Sequence, residues 1–225
     1  MDFHKECINN AVIKNLDILE ILDQYSELVQ SIELDATRTW PRHELEHRDN
    51  WVSEDYLNRI VHMGRVHEGY PETLVGFGTS AKELVHDSRE EYLRISKESD
   101  RLTKEIGMFL GAHRTALAAV YPPGGFIPWH NNANAAGYNI IFTWSEKGDG
   151  YWEHLDPVTR EVVRIPDVKG WQCKFGYYGT YEEPNQVLYH AASTNCLRAT
   201  LGFVFNRDET GKNMASMVVE EIQTV

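Results

Sequence analysis

Residues 121–144, YPPGGFIPWHNNANAAGYNIIFTW, decide the fold that we expect for this chain. Two apolar runs stand between clusters of Pro, Gly and Asn that favour turns, which is the pattern of short strands in a sheet. His130 and Asn132 lie two positions apart at the end of the first run. Because residues two apart on a strand share a face, both side chains are predicted to point into one cavity.

The same pattern of short apolar runs and turn-forming clusters continues towards the end of the chain. After Gly111, short runs rich in Val, Ile, Phe, Tyr, Trp and Thr are separated by turn clusters such as SEKGDG and PDVKG. The runs are ALAAVY, GFIPWH, YNIIFTW, YWEHL, EVVRI, WQCKFGYY, QVLYHA and RATLGFVF. Eight strands of this length predict a jelly roll, that is, a double-stranded β-helix of the cupin type.

The N-terminal half is predicted to be helical. Apolar residues recur at three- and four-residue steps over residues 3–34, which indicates an amphipathic helix broken once near Tyr25. SEDYLNRIVHMG predicts a further helix with Ser53 as N-cap, and residues 80–110 predict one solvent-facing helix or a pair. The fold class is therefore α+β, with the N-terminal helices packed on the outside of the β-helix.

We expect a single domain over residues 1–225, because 225 residues of which 42% are hydrophobic suffice for one substantial core. A helical and irregular part spans residues 1–112, the β-helix core residues 113–207, and a C-terminal extension residues 208–225. In the extension, DETGKN is predicted to be a loop, and ASMVVEEIQTV is either an added edge strand or a short helix.

Charge and cysteine content narrow the function classes. The net charge of −12, from 22 Lys and Arg against 34 Asp and Glu, makes nucleic acid an unfavourable partner. Cys7, Cys173 and Cys196 form no CxxC pair, so neither a disulfide framework nor a zinc knuckle is expected, and a reducing cytoplasm is the simplest location. No signal peptide or membrane-spanning apolar run is visible, so we expect a soluble protein without membrane contact. No pattern indicates an oligomeric state.

A candidate metal site emerges from three residues on the predicted strands. His190 lies in VLYHAAS, and Arg198 opens the next run. Two histidines and one short oxygen-bearing side chain on adjoining strands form a facial three-ligand site with open positions, which suits non-haem Fe(II). An arginine beside such a site can hold a carboxylate by two hydrogen bonds. His130, Asn132 and His190 are thus the candidate metal ligands.

These residues also carry a resemblance to a known family. WHNNANAAGYNIIFTWSEKGDGYWEHLDPVTREVV, followed by KGW, LYHAAS and RATLGF, resembles the Fe(II)/2-oxoglutarate-dependent oxygenase superfamily, and within it a group of small oxygenases of tailed-bacteriophage genomes. The resemblance covers residues 121–205. It implies that His130 and His190 bind Fe(II) and act with Arg198 in catalysis, and that Arg198 grips the far carboxylate of 2-oxoglutarate. It further implies a dioxygenase that hydroxylates an unactivated C–H bond of a small molecule or peptide, with release of succinate and CO2.

Asn132 departs from this pattern, because it stands where the family has an acid. A neutral amide oxygen is a weaker donor than a carboxylate, which leaves open that a water or an anion fills that position. Glu153 and Asp156 are the nearest acids in sequence that could replace it, although the LDPVT context makes Asp156 a turn residue. Asn132 capping its own turn is a further interpretation.

Strand alternation assigns secondary roles. On the third run Tyr138, Ile140, Phe142 and Trp144 share one face and Asn139, Ile141, Thr143 and Ser145 the other, and one of these sets lines the barrel. Asn139, Thr143 and Tyr138 are, with Arg198, the candidate cofactor-binding residues. Trp129 and Tyr189 are predicted to pack on the faces opposite the ligands. Core positions are expected for Trp40, Trp51 and Tyr70, with a substrate lid as the alternative.

Two other function classes stay open. A cupin-like metal-binding or small-molecule-binding protein without oxygenase activity is favoured by Asn132 and opposed by Arg198. HELEH, with His43, Glu44 and His47, matches the HExxH pattern of zinc peptidases. Its charged, Pro-interrupted neighbours favour a solvated surface instead, since such a site needs a buried helix.

Overall fold

In a computed structural model of the chain, residues 8–32, 48–63, 89–132 and 136–225 are described. They contain five α-helices, one short 3-10 helix (Pro184–Gln186) and nine strands. The helices are α1 (Leu16–Gln30), α2 (Arg48–Trp51), α3 (Glu54–Met63), α4 (Arg89–Leu110) and α5 (Glu209–Ile222). The strands are β1 (Ile8–Ala11), β2 (Arg114–Tyr121), β3 (Phe126–His130), β4 (Gly137–Ser145), β5 (Gly150–Leu155), β6 (Val162–Pro166), β7 (Gly170–Tyr178), β8 (Tyr189–Thr194) and β9 (Arg198–Phe205).

The strands form two antiparallel sheets. A five-stranded sheet has the order β1-β7-β4-β9-β2, and a four-stranded sheet has the order β3-β8-β5-β6. From β2 onwards the chain crosses from one sheet to the other at every step except β5 to β6. β3 carries one extra residue relative to β8 between Ile127 and His130. Helices combined with antiparallel sheets confirm the mixed α+β class.

The five-stranded sheet separates two cores. On its outer face Tyr138, Ile140, Phe142 and Trp144 of β4 join one hydrophobic cluster with α1, α4 and α5. On its inner face, residues such as Ile8 and Tyr178 meet Trp152 and Ala192 of the four-stranded sheet. The space between the two sheets is therefore where a cavity can form.

α3 covers the outer face of the four-stranded sheet. Tyr56, Leu57 and Ile60 pack there against Trp129 and Tyr189, as predicted for those two aromatic residues. The Trp129 Nε1–H also donates to the Val52 carbonyl oxygen at 3.0 Å. Ser53 caps α3 as predicted, because its hydroxyl accepts a hydrogen bond from the Tyr56 amide.

The N-terminal prediction is partly wrong. Ile8–Ala11 is a strand paired with β7, and the helix begins only at Leu16, where the Asn15 side chain accepts from the amides of Asp17 and Ile18. Val12 and Leu16 were predicted to lie on the apolar face of the helix, but they are 65% and 68% exposed. The helix also continues unbroken through Tyr25, which is fully buried.

All eight predicted strands are present, and the C-terminal extension is a helix. The edge-strand alternative for ASMVVEEIQTV is wrong, as is the loop over DETGKN, since the Asp208 carboxylate accepts from the Gly211 amide at 2.8 Å and α5 begins at once. Only glycine fits at 211, because a Cβ there would lie 1.9 Å from the Asn206 carbonyl oxygen. Of the predicted helical stretch 80–110, residues 89–110 form α4 and residues 80–88 lie outside the described part.

Across the described ranges, none of the helices has both the length and the apolar composition needed to cross a bilayer.

Candidate metal and carboxylate site

A cavity of about 280 Å³ lies between the two sheets. Most of the predicted site residues line it: His130, Asn132, Asn139, His190 and Arg198. Apolar side chains from both sheets, including Leu117, Ile127, Ile141 and Trp152, form the remainder of the wall. The cavity thus combines a few polar groups with apolar walls, as small-molecule sites do.

His130 and His190 are direct register partners on β3 and β8. Their ring centroids are 4.1 Å apart, and both side chains are buried. Cross-strand partners point to the same face of a sheet, so strand pairing alone brings the two imidazoles together although sixty positions separate them in sequence.

Both imidazoles have the same backbone partner for Nδ1. His130 Nδ1 lies 2.8 Å from the Pro128 carbonyl oxygen, and His190 Nδ1 lies 3.2 Å from the Leu188 carbonyl oxygen. A carbonyl oxygen only accepts, so each Nδ1 must carry the proton, and in a neutral ring the lone pair then sits on Nε2. This is the hydrogen-bonding pattern that holds metal-ligating histidines in one tautomer.

The surroundings keep His190 neutral. Burial lowers the pKa of His190 well below its usual value, and the neighbouring His130 lowers it further. A metal binds the neutral imidazole, so near neutral pH no proton has to be displaced from His190 before a cation enters. The two rings therefore fit a divalent metal.

Asn132 lines the same cavity two positions after His130. Its neighbour Asn131 is turned to other partners, since Asn131 Oδ1 accepts from the Tyr181 hydroxyl at 3.2 Å. The turn that Asn132 would cap includes residues 133–135, which lie outside the described part. The amide of Asn132 stays a candidate third donor, since it lines the same cavity as the histidines.

The two nearby acids have other partners. Glu153 is buried on the opposite face of β5, where Arg164 Nη2 and Nε lie 2.7 Å and 2.8 Å from Oε2. Asp156 accepts from the amides of Val158 and Thr159 at 2.8 Å, which confirms its predicted turn role. Among the residues that the structure describes, no group of three His, Cys, Asp or Glu side chains is placed to hold a metal. Neither acid replaces Asn132.

Arg198 is almost fully buried and lines the same cavity as the two histidines. Its Nε donates to Asp167 Oδ2 at 2.8 Å, its Nη1 donates to Thr200 Oγ1 at 2.7 Å, and its guanidinium lies over the Tyr121 ring. Nη2 has no hydrogen-bond partner among the described residues. A buried, oriented guanidinium nitrogen without an acceptor fits a carboxylate oxygen of a ligand.

The remaining cofactor candidates on β4 differ in placement. Asn139 faces the cavity and donates from Nδ2 to the Gly137 carbonyl oxygen at 2.9 Å. Thr143 is buried on the same face, but it does not line the cavity. Tyr138 lies on the helix-covered face, with its ring centroid 4.9 Å from that of Tyr177. Strand alternation directs it away from the cavity, so Tyr138 is removed from the candidate cofactor-binding residues.

Sequence reasoning missed His154 on β5. It is the register partner of His190 on the side away from His130, so the four-stranded sheet carries three histidines in one row. Burial lowers the pKa of His154 to about 4, and its Nδ1 has no hydrogen-bond partner among the described residues. The sequence does contain a signal for it: in YWEHL, His154 lies two positions after Trp152, so the two side chains share one face of the strand.

Several predicted features lie elsewhere. Trp51 packs edge-on against Tyr56, with ring centroids 4.9 Å apart, on the outer face of the four-stranded sheet and not over the cavity. Trp40, Tyr70 and the HELEH residues His43, Glu44 and His47 lie outside the described residues.

Comparisons with known proteins give no family assignment. No protein-family model and no curated protein matches the chain. Among solved structures it is similar to a Pseudomonas putida prolyl-4-hydroxylase, with 13% identity over 92% of this chain and 96% of the other, at a TM-score of 0.40. A prolyl hydroxylase from Trichoplax adhaerens, in complex with a hypoxia inducible factor peptide fragment, is 14% identical over 94% and 86% of the two chains, at 0.39.

A viral collagen prolyl hydroxylase from Paramecium bursaria Chlorella virus-1, solved with 2-oxoglutarate, is 12% identical over 74% of this chain and 91% of the other, at a TM-score of 0.29. At these scores the likenesses carry no argument about activity. The resemblance to oxygenases of bacteriophage genomes stays a prediction.

Proposed function

We propose that the chain is a non-haem Fe(II)- and 2-oxoglutarate-dependent dioxygenase. The observation that carries the proposal is that one cavity is lined both by two adjacent imidazoles and by a buried arginine whose Nη2 has no acceptor among the described residues. A ligand that chelates a metal at one end and presents a carboxylate at the other suits both the imidazole pair and the arginine. 2-Oxoglutarate is such a ligand.

His130, His190 and the amide oxygen of Asn132 are the proposed Fe(II) ligands. Arg198 binds the far carboxylate of 2-oxoglutarate through Nη2, while Asp167 and Thr200 hold its other nitrogens. Bound Fe(II) supplies activation of O2 coupled to decarboxylation of 2-oxoglutarate. In balance, C–H, O2 and 2-oxoglutarate become C–OH, succinate and CO2.

The protein positions the metal ligands and excludes water from the cavity. Leu117, Ile127 and Ile141 line the cavity together with the polar groups, which limits water around the reacting groups. The Pro128 and Leu188 carbonyl oxygens fix the two rings, so the ligands need little reorganisation on metal binding. Asn139 is a proposed further polar contact to 2-oxoglutarate or substrate.

We extend the proposal to the fold, the substrate class and the cellular location. The alternation of strands between two antiparallel sheets supports a double-stranded β-helix core over residues 113–207 in a single domain, with residues 1–112 and 208–225 around it. The proposed substrate is a small molecule or a peptide, and the proposed location is the cytoplasm.

A spectroscopic titration tests the proposed function. Anaerobic protein mixed with Fe(II) and 2-oxoglutarate should develop a visible charge-transfer band, and His130→Ala should lose it. His113→Ala is the matched control, because His113 is an exposed histidine outside the cavity. Absence of the band in the wild type, together with no succinate from any candidate substrate, would refute the dioxygenase.

Asn132 supports a second candidate, a cupin-like metal-binding or small-molecule-binding protein without oxygenase activity. A neutral third donor leaves more net positive charge on the metal than a carboxylate does. This candidate predicts that metal and 2-oxoglutarate bind, but that 2-oxoglutarate is not consumed in the presence of O2. The dioxygenase predicts slow formation of succinate even without substrate.

A further inference from the structure

Three charged side chains are buried close enough to interact electrostatically. Arg198, Lys174 and Asp167 are 1%, 0% and 5% exposed. Lys174 lies on β7 as the register partner of Ile141, which lines the cavity, so its side chain is on the cavity side of the five-stranded sheet. Two cations and one carboxylate leave one positive charge without a counter-charge in this group.

Hydrogen bonding within the group is incomplete. Asp167 Oδ2 is bonded to Arg198, but Lys174 Nζ, Arg198 Nη2 and Asp167 Oδ1 are buried and have no partner among the residues with described positions. A buried charge without partners is costly unless an opposite charge is brought to it. One ligand carboxylate would supply that charge.

We propose that Lys174 is a second cation of the carboxylate site, acting through its buried charge to tighten binding of the anion that Arg198 contacts. The inference rests on the proposed function and deepens it. Lys174 does not itself line the cavity, so its effect is electrostatic and reaches the ligand through a low-dielectric interior. The site should therefore prefer a ligand that presents an anionic group to Arg198 over an analogue in which that group is neutral.

Protonation of Lys174 makes the proposal measurable. Burial first, and then the charge of Arg198, lower the pKa of Lys174 to about 8, although the carboxylate of Asp167 opposes both. The adjacent Cys173 thiol stays neutral, because burial raises its pKa to about 12. The strand partners of Lys174 on β4 and β1, Ile141 and Asn10, do not titrate. Above pH 8 the free protein therefore loses this charge, and affinity for a carboxylate falls.

The test is calorimetric binding of 2-oxoglutarate to the metal-free protein at pH 7 and pH 9.5. Wild-type affinity should fall several-fold between the two pH values. Lys174→Met should bind about tenfold or more weakly at pH 7, with no further fall at pH 9.5. Lys169→Met is the matched control, since it removes an exposed lysine five positions away and should behave as wild type.

Lys174→Arg separates charge from packing. Arginine stays protonated at both pH values, so this variant should keep the affinity at pH 7 and lose the pH dependence. If Lys174→Met does not fold, Lys174→Arg alone still tests the role of the lysine charge. Equal affinity and an equal pH profile in wild type and variants would overturn the role of Lys174 and leave the dioxygenase intact. No binding of 2-oxoglutarate to any protein, with or without Fe(II), would instead remove the proposed function.

Discussion

Gly150 and Asp167 are in such close contact that a side chain on the glycine would collide with the carboxylate. A Cβ on Gly150 would lie 2.6 Å from Asp167 Oδ2, the oxygen that accepts from Arg198, and 2.9 Å from the Ser193 carbonyl oxygen. The Asp167 amide also donates to the Gly150 carbonyl oxygen at 2.9 Å. The glycine that begins β5 therefore determines where the partner of the guanidinium lies.

Gly150→Ala should lower the free energy of unfolding by about 1–3 kcal/mol, because a methyl group is forced into an occupied space. The variant should also weaken binding of 2-oxoglutarate, since Asp167 must move. Urea unfolding and calorimetry measure the two effects. Gly107→Ala is the control: its Cβ would lie 3.7 Å from Phe203 in ordinary contact, and alanine favours the helix. Unchanged stability in Gly150→Ala would contradict the contact.

Metal affinity should depend on His190 and not on Glu153. His190→Ala removes one of two imidazoles and should weaken Co(II) binding at least about tenfold, as followed by visible absorbance. Glu153→Gln should leave Co(II) affinity unchanged, because that carboxylate faces Arg164 on the other side of the sheet. Loss of metal binding in Glu153→Gln would show that the acid reaches the cavity after all.

Asn132→Asp should strengthen metal binding. The substitution restores a carboxylate at a position that lines the cavity, and a charged oxygen is a better donor than an amide for Fe(II) or Mn(II). A gain of about tenfold or more in Mn(II) affinity is expected by titration. Asn131→Asp is the matched control, because the Asn131 side chain bonds Tyr181 instead. An equal gain in both variants would indicate a general charge effect rather than direct ligation.

His154 should make the protein sensitive to acid. Burial lowers its pKa to about 4, so between about pH 4 and pH 6.5 the unfolded chain binds a proton that the folded chain does not. Above pH 6.5 His154 does not reduce the free energy of unfolding. As the pH falls from 6.5 towards 4, the free energy of unfolding decreases by at most about 1.4 kcal/mol per pH unit because of this residue. Urea unfolding at pH 7 and pH 5 should therefore differ less in His154→Phe than in the wild type. An identical loss in both proteins would rule out His154 as a source.

The strands were predictable because their signals are local. Alternating apolar residues and turn clusters gave all eight runs after Gly111, and alternation correctly grouped Asn139 with Thr143 on β4. β1 was not predictable in this way. Its four residues are a strand only through pairing with β7, more than 160 positions away, and the exposed Val12 and Leu16 imitate a helical stripe.

Part of the candidate site was likewise beyond local patterns. His130 and His190 could be identified as strand residues of metal-binding type. Lys174 and Asp167 could not, because their importance depends on which face of β7 is covered and on which turn approaches Arg198. A lysine inside the apolar run WQCKFGYY is nevertheless a signal, since a strand buried on both faces has no solvated side for it.

The extra residue in β3 decides the orientation of His130. Ile127 and His130 both line the cavity although they are three positions apart, an odd number that in a regular strand would send them to opposite faces. The alternation of side chains between the two faces of β3 is thus shifted by one residue just before His130. Removing a single residue between them would rotate the ring out towards α3, and the cavity would keep its shape while losing half of its histidine pair.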